Sequence, residues 1–107
     1  MFEAYLNGAR VGHDVLVLAL SEYEKRVFCM TYDVTKLLRP GTNAMGAMLG
    51  DGRFFAPRRN IPTTMRGFGY PKLRLQLEME LANGKVESVS SDETWKLTTD
   101  GPIRTSE

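Results

Sequence analysis

The chain has 107 residues, a length that suits one domain. Its 14 Lys and Arg residues nearly balance its 13 Asp and Glu residues, which argues against a nucleic-acid-binding protein, since such a protein needs a basic surface. The longest apolar run, Val15 to Leu20, is too short for a membrane span of ~20 residues. The totals therefore predict a globular domain without nucleic-acid or membrane partners.

No basic and apolar leader opens the chain, so we expect any export signal to lie upstream or to have been removed. The single cysteine, Cys29, lies in the apolar stretch RVFCMTY, which predicts a buried, inert thiol. The single histidine, His13, lies in a turn-like VGHD segment, which argues against a catalytic role for it.

The front half of the chain reads as short strands joined by turns. A strand is predicted over Glu3 to Leu6, with a hairpin turn at Asn7-Gly8 and a returning strand from Arg10. Another strand-like stretch follows over Arg26 to Tyr32. Val15 to Leu20 is interpreted as a buried strand or an irregular crossing segment.

One segment in this half indicates helix. Residues 33–39 begin with capping residues and end at Pro40-Gly41, which predicts one or two helical turns. The strand then predicted over Asn43 to Leu49 contains Gly46, which indicates a bulge or a close backbone approach.

The clearest element is KLRLQLEMEL, residues 72–81, in which apolar and polar residues alternate without a break. Period two is typical of an antiparallel strand with one buried face. Asn83-Gly84 then predicts a two-residue type I′ hairpin, with the return over Val86 to Val89. A last strand is predicted over Thr94 to Thr98, with Trp95 in the core. Many short strands at this spacing predict an all-β sandwich or barrel formed by residues 1–107.

The best candidate site is the stretch AMLGDGRFFAPRRN, residues 47–60. Its glycines superficially resemble a phosphate loop, but Phe54-Phe55-Ala56-Pro57 follows where that chemistry needs a helix start. Residues 53–70 instead form a long segment rich in arginine and aromatic residues, and such a loop in a compact domain usually binds something. The candidate contact residues are Asp51, Arg53, Phe54, Phe55, Arg58, Arg59 and Tyr70.

Three interpretations of this loop stay open. Aromatic rings and arginine side chains suit contact with a sugar, and they equally suit docking to another domain. The third interpretation places the phenylalanines as a plug at one end of the sandwich while the arginines stay solvated. Tyr23, in SEYEKR, is either a corner residue or a surface contact. Asp51 has no obvious acidic partner, so the residues point to no glycosidase pair and no catalytic residue within this chain.

Six motifs in a fixed order, over nearly the whole length, carry a resemblance to a known family. They are LNGARVG (6–12), YEKRVF (23–28), TYDVTKLL (31–38), GTNAMGAMLGDGRFFAPR (41–58), GYPKLRLQLEMEL (69–81) and SDETWKLTTDGPI (91–103). Together they resemble the N-terminal accessory domain of bacterial α-L-rhamnosidases, particularly the form common among gut Bacteroidetes.

The resemblance implies a jelly-roll β-sandwich of the galactose-binding type, and it implies a fragment of a larger enzyme whose catalytic (α/α)₆ barrel is a separate domain. It implies that the barrel of the same polypeptide and a rhamnose-containing glycan are partners, and that the protein is periplasmic or extracellular. We therefore expect the domain to brace the barrel or to assist substrate recognition, and to be inactive alone; an autonomous rhamnose-binding module is the alternative. No cofactor is indicated by the residues, and calcium enters by family analogy only.

The chain departs from the family pattern at three positions. Family members usually have an aromatic residue where Cys29 stands and a proline near Leu18, and many have a Trp where this chain has Arg53. Members also have a strand before residue 1, so its absence implies an exposed sheet edge. Such an edge favours pairing into a homodimer.

Overall fold

The computed structural model describes residues 1–14, 21–50, 52 and 68–102. The segment predicted as a crossing, Val15 to Leu20, lies outside the described residues. The chain divides into two compact units, Met1–Pro71 and Lys72–Ser106, and a separate antiparallel sheet lies in each. None of the described residues belongs to a helix that is both long and apolar enough to cross a membrane.

The sheet of the first unit has three strands in the order β2-β1-β3. They are β1 (Phe2–Leu6), β2 (Ala9–Val11) and β3 (Met45–Leu49). The central strand pairs antiparallel with both neighbours, with Ala4 opposite Val11 on one side and opposite Ala47 on the other. The sequence placed all three strands, and the hairpin at Asn7-Gly8 is confirmed.

The two faces of β1 differ in burial because successive side chains point to opposite sides of a strand. Ala4 and Leu6 are buried, and Leu6, at 1% exposure, is the most deeply buried of the described large side chains. The opposite face carries Glu3 and Tyr5. There the Tyr5 hydroxyl donates to Glu3 at 2.8 Å, and Arg10 of β2 forms an ion pair with Glu3 at 3.3 Å.

A short helical element precedes β3. It is a 3₁₀ turn over Thr35–Leu37, which confirms the predicted helical turn near residues 33–39. The Asp33 carboxylate accepts hydrogen bonds from the Thr35 amide at 3.0 Å and from the Thr35 hydroxyl at 2.7 Å. These bonds satisfy donors at the start of the turn, and Leu38 is already extended.

Two asparagine side chains attach this turn to the first hairpin. Asn7 donates to the Leu37 carbonyl at 2.9 Å and to the Asn43 side-chain oxygen at 2.7 Å, and it accepts from the Ala44 amide at 2.9 Å. Asn43 in turn accepts from the Arg39 amide at 2.9 Å and donates to the Arg39 carbonyl at 2.7 Å. We call these bonds the asparagine latch. It joins the turn after β1 to a segment at least thirty residues away in the sequence.

A second tie holds the segment before the 3₁₀ turn. A side chain added at Gly12 would meet the Tyr32 ring at 2.5 Å, so the ring lies directly against the Gly12 backbone, where φ is 75°. The Tyr32 hydroxyl donates to the Asp14 carboxylate at 3.1 Å. Tyr32 therefore packs on the chain just after β2.

The sheet of the second unit is the hairpin of β4 (Gln76–Glu80) and β5 (Val86–Ser90). Exposure alternates without interruption from residue 72 to residue 80, and Leu73, Leu75, Leu77 and Met79 are the half-buried positions. The period-two prediction for this stretch is confirmed, although strand pairing begins only at Gln76.

The turn of this hairpin differs from the predicted type. A type I′ turn needs positive φ at both central residues. Here Gly84 has a φ of 79°, but Asn7 is the single non-glycine residue with positive φ in the described ranges, so Asn83 does not qualify. The Gly84 amide donates to the Leu81 carbonyl and the Leu81 amide donates to the Lys85 carbonyl, both at 2.8 Å. The result is a three-residue loop, a turn followed by a left-handed glycine.

Two of the predicted strands, both within the described residues, do not form. Over Thr94 to Thr98 the Asp92 side chain accepts from the Thr94 amide and hydroxyl, and the Trp95 amide bonds the Asp92 carbonyl; these local bonds bend the chain out of an extended path. Trp95 is half-buried, so its predicted core position is also wrong. Residues 26–32 pair with no described strand, and Cys29 is exposed, which contradicts the predicted buried thiol.

Gly46 also departs from expectation. It pairs in regular register with Tyr5, and apart from its chain neighbours no described residue has an atom within 4 Å of the position its side chain would take. The predicted bulge or close approach is therefore wrong. At the level of fold class, antiparallel sheets with almost no helix confirm the all-β prediction, while the jelly-roll strand order stays a prediction.

Candidate functional site

Seven residues were predicted to form the contact surface, and the structure describes one of them. Asp51, Arg53, Phe54, Phe55, Arg58 and Arg59 lie outside the described residues. Tyr70 is described and is 78% exposed, so its ring is accessible at the end of the aromatic loop. Residues 50 and 68, at the two ends of this segment, are described.

At its N-terminal end, the segment predicted as the loop follows Gly50, which bonds to the first residue of the chain. The Gly50 amide donates to the Met1 carbonyl at 3.0 Å, which extends the β1–β3 pairing by one step beyond Leu49. Gly52 has a φ of 50°, in the left-handed region that glycine adopts without steric cost. The turn predicted at Gly50-Asp51-Gly52 stays a prediction, because Asp51 lies outside the described residues. The predicted entry to the loop is therefore at the edge of the first sheet.

The loop returns against a second turn of the same unit. The Phe68 and Tyr23 rings meet edge to face, with centroids 5.1 Å apart and planes at 68°. Tyr23 belongs to a turn in which the Lys25 and Arg26 amides donate to the Glu22 carbonyl at 2.8 and 2.9 Å. Tyr23 thus makes an aromatic contact that fixes the C-terminal end of the loop two residues before exposed Tyr70.

A neighbouring apolar stretch was not predicted as a surface. Val27, Phe28 and Met30 are 64%, 49% and 43% exposed, and Cys29 between them is exposed as well. We call residues 27–30 the apolar segment. Four consecutive exposed apolar residues do not alternate inward and outward as a half-buried strand would. The sequence feature that indicates this surface is the unbroken apolar run in RVFCMTY. The prediction of a strand with a buried thiol assigned that run to the core.

Polar side chains form a network on the outer face of the first sheet. Arg10 bridges Glu3, through an ion pair at 3.3 Å, and the Asp14 carbonyl, through a hydrogen bond at 2.8 Å. The hydrogen bond to Glu3 raises the pKa of the Tyr5 hydroxyl, because ionised Tyr5 would face a carboxylate. The pKa of the Tyr32 hydroxyl is also raised, first because partial burial disfavours the charged phenolate and second because the hydroxyl donates a hydrogen bond to Asp14. Both phenols therefore stay protonated donors at neutral pH.

Two carboxylates are held in their charged form. Hydrogen bonds from the Thr35 hydroxyl and amide keep the pKa of Asp33 below its ordinary value, and bonds from Thr94 do the same for the pKa of Asp92. Each bonded pair has the spacing Asp-x-Thr and lies at a turn. Their charge is therefore explained by local structure.

The described residues offer no group of three or more His, Cys, Asp or Glu side chains that could hold a metal ion. His13, which also belongs to the described residues, is exposed. The calcium suggested by the family analogy stays a prediction.

The model of the α-L-rhamnosidase N-terminal domain family matches residues 1–107, the whole chain. This chain belongs to that family.

The relatives are bacterial proteins named α-L-rhamnosidase. Two from Formosa agariphila are 36% and 39% identical over 100% and 95% of the chain, and one from Streptomyces avermitilis is 40% identical over 96% of it. The Formosa relatives fit the expected likeness to the Bacteroidetes form. The matched segment makes up 12%, 11% and 10% of these three proteins, so the chain spans about a tenth of their length. No solved structure matches the chain.

The motifs that carried the resemblance have structural tasks in this α-L-rhamnosidase N-terminal domain. LNGARVG contains Asn7 of the asparagine latch and Gly12, against which Tyr32 packs. TYDVTKLL supplies Tyr32 and the capped 3₁₀ turn, and GTNAMGAMLGDG supplies Asn43 and β3. Three of the six motifs therefore supply residues that build the first unit.

Proposed function

We propose that this domain is a non-catalytic brace of an α-L-rhamnosidase, packing against the catalytic barrel of the same polypeptide. The parent enzyme would release terminal α-L-rhamnose from a glycan, as the names of the relatives suggest. Because one family model spans residues 1–107, the proposal treats them as a single β-sandwich domain.

The observation that carries this proposal is the exposed apolar segment, residues 27–30. Exposed apolar residues in a continuous group are typical of surfaces that contact another protein. Tyr70 adds an exposed aromatic ring, the residue type enriched in the centre of interfaces. A neighbouring domain is a suitable occupant because the relatives are about ten times as long as this chain.

Labelling of Cys29 tests the brace, since this is the single cysteine of the chain and lies within the apolar segment. We expect a thiol reagent to label Cys29 readily in the isolated domain and much more slowly when the domain is joined to a catalytic barrel. The urea-unfolded chain gives the intrinsic rate of the thiol. Equal rates in the isolated and joined forms would show that the barrel does not cover this segment.

The alternative is an autonomous rhamnose-binding module that uses the aromatic loop. The exposed ring of Tyr70 favours it, because aromatic faces stack on sugar rings. Titration of the domain with L-rhamnose, with and without calcium, should then shift amide signals of residues 50–70. No shift at millimolar sugar would remove this alternative and leave the brace.

We also propose that the domain alone has no glycosidase activity. The pure domain should release no nitrophenol from an aryl α-L-rhamnoside, and any release that survives a mock purification would contradict it. Contact with the glycan, pairing of two copies at a sheet edge and a periplasmic or extracellular location stay predictions.

A further inference from the structure

The chain contains two Asn-Gly dipeptides, and their side-chain amides have very different surroundings. Asn-Gly is prone to cyclise, because the glycine nitrogen can reach the asparagine side-chain carbon without hindrance from a Cβ atom. Comparison of Asn7-Gly8 with Asn83-Gly84 therefore shows which one is chemically accessible.

The Asn7 amide is fully engaged. Its nitrogen donates to the Leu37 carbonyl and the Asn43 side chain, and its oxygen accepts from the Ala44 amide. Movement of the side-chain carbon toward the Gly8 nitrogen would break these three bonds, all to residues at least thirty positions away. The asparagine latch therefore protects Asn7.

The Asn83 amide has one bond, and that bond favours reaction. Its oxygen accepts from the Lys85 amide at 2.9 Å, and its nitrogen donates to no partner in the described ranges. Asn83 is exposed at the tip of the second hairpin. A backbone N–H directed at the side-chain oxygen stabilises negative charge on that oxygen when the adjacent carbon is attacked.

We propose that Asn83 is a modification site, at which spontaneous deamidation converts the asparagine to isoaspartate and aspartate while Asn7 is spared. The Gly84 nitrogen loses its proton to hydroxide and attacks the Asn83 side-chain carbon. A carbon–nitrogen bond forms, the bond to the side-chain nitrogen breaks, and that nitrogen takes a proton from water and leaves as ammonia, which regenerates the hydroxide. Water then opens the resulting succinimide at either carbonyl.

One contact opposes this step. The Gly84 amide donates to the Leu81 carbonyl at 2.8 Å, so this bond must open before the nitrogen attacks. It is a single bond at an exposed hairpin tip, where local opening has a low free-energy cost. The three latch bonds at Asn7 connect separate segments and open together.

The product would change the second hairpin. Isoaspartate adds a methylene to the main chain inside a loop that is closed by the Leu81 and Lys85 bonds. The register of β4 and β5 depends on loop length, so the pairing of the two strands is expected to weaken.

The test is peptide mapping by mass spectrometry after incubation of the folded chain at mildly alkaline pH. We expect Asn83 to deamidate at least about tenfold faster than Asn7, the ratio that corresponds to a barrier difference of ~1.4 kcal/mol. In urea the two rates should become similar, which shows that the difference comes from the fold.

Two variants complete the test. Asn43→Ala removes a partner of Asn7 and should accelerate deamidation there; should this variant unfold, the urea comparison serves the same purpose. Asn83→Gln retains an amide and should abolish conversion in the hairpin. Equal rates at Asn7 and Asn83 in the folded chain, or an unmodified Asn83 when the urea sample reacts, would overturn the proposal.

Discussion

The two hairpins of this domain share the dipeptide Asn-Gly but form different turns. In the first, Asn7 and Gly8 have φ values of 53° and 81°, and Leu6 pairs directly with Ala9. In the second, Gly84 alone is left-handed and the loop gains a residue. The dipeptide thus determines where the chain turns, and the surroundings determine how.

The hydrogen-bond partners of the two asparagines lie at different distances along the sequence. Asn7 bonds to Leu37, Asn43 and Ala44, which hold its backbone in the left-handed region. Asn83 bonds only two residues ahead, to the Lys85 amide. A residue with distant partners is fixed by the tertiary structure, whereas Asn83 follows the local preference of the loop.

The largest expected change in stability tests whether the first hairpin is more deeply buried than the second. Leu6→Ala should lower the free energy of unfolding by roughly 2–5 kcal/mol, because it leaves a cavity at a fully buried site. Leu77→Ala should cost clearly less, since Leu77 is half-buried in the second hairpin. Urea denaturation of both variants checks the order. Equal losses would show that the second hairpin is as well packed as the first.

The next effect tests the latch itself. Asn7→Ala should lower the free energy of unfolding by about 2–3 kcal/mol, since it removes three hydrogen bonds and strains a backbone at positive φ. Asn7→Gly removes the same bonds but does not strain the backbone. Its decrease in the free energy of unfolding should therefore be about 1 kcal/mol smaller than that of Asn7→Ala.

Asn83→Ala is the matched control in the second hairpin. It removes one exposed local bond at a residue without positive φ, so we expect a loss of about 0.5–1 kcal/mol or less. A loss as large as that of Asn7→Ala would contradict the distinction between the two turns.

A smaller effect of opposite sign is expected at Gly46. This residue lies in regular register, with open space at the side-chain position. Gly46→Ala should therefore raise the free energy of unfolding by roughly 0.5–1 kcal/mol, because alanine loses less backbone entropy in a strand. The thermal midpoint of the variant reports the sign. A lower midpoint would indicate a close approach that the structure lacks.

The smallest effect concerns pH and compares the Asp-x-Thr turns of the two units. Both Asp33 and Asp92 have a lowered pKa, so the stability they contribute is present above the ordinary aspartate pKa and is lost as pH falls through the lowered value. NMR titration of the carboxyl carbons should show both midpoints below that of an unstructured aspartate. Thr35→Val and Thr94→Val should each raise the midpoint of their own partner only.

The parts that sequence predicted well depend on local chemistry. The strict alternation of residues 72–81, the position of the chain reversal at Asn7-Gly8 and the capped turn after Asp33 each follow from residues next to one another. Period and capping are local signals, so tertiary context changed them little.

The wrong predictions concern residues whose conformation or burial depends on side-chain hydrogen bonds and on packing, which a sequence pattern does not show. Thr94 to Thr98 has good strand residues, but the Asp92 side chain bonds the Thr94 amide and bends the chain. The apolar stretch around Cys29 was interpreted as core, and its exposure depends on what packs nearby. Every candidate site residue except Tyr70 lies outside the described residues, so the site prediction rests on composition and family likeness.

The contact between Tyr32 and Gly12 has a consequence for variation in this region. The ring covers bare backbone, so position 12 excludes side chains both by contact and by its φ of 75°. Residues 26–31 before Tyr32 pair with no described strand. Substitutions among these residues should therefore leave the path of the chain unchanged as long as Tyr32 and Gly12 remain. A library that randomises residues 27–30 with these two positions constant would yield many folded members with altered surfaces.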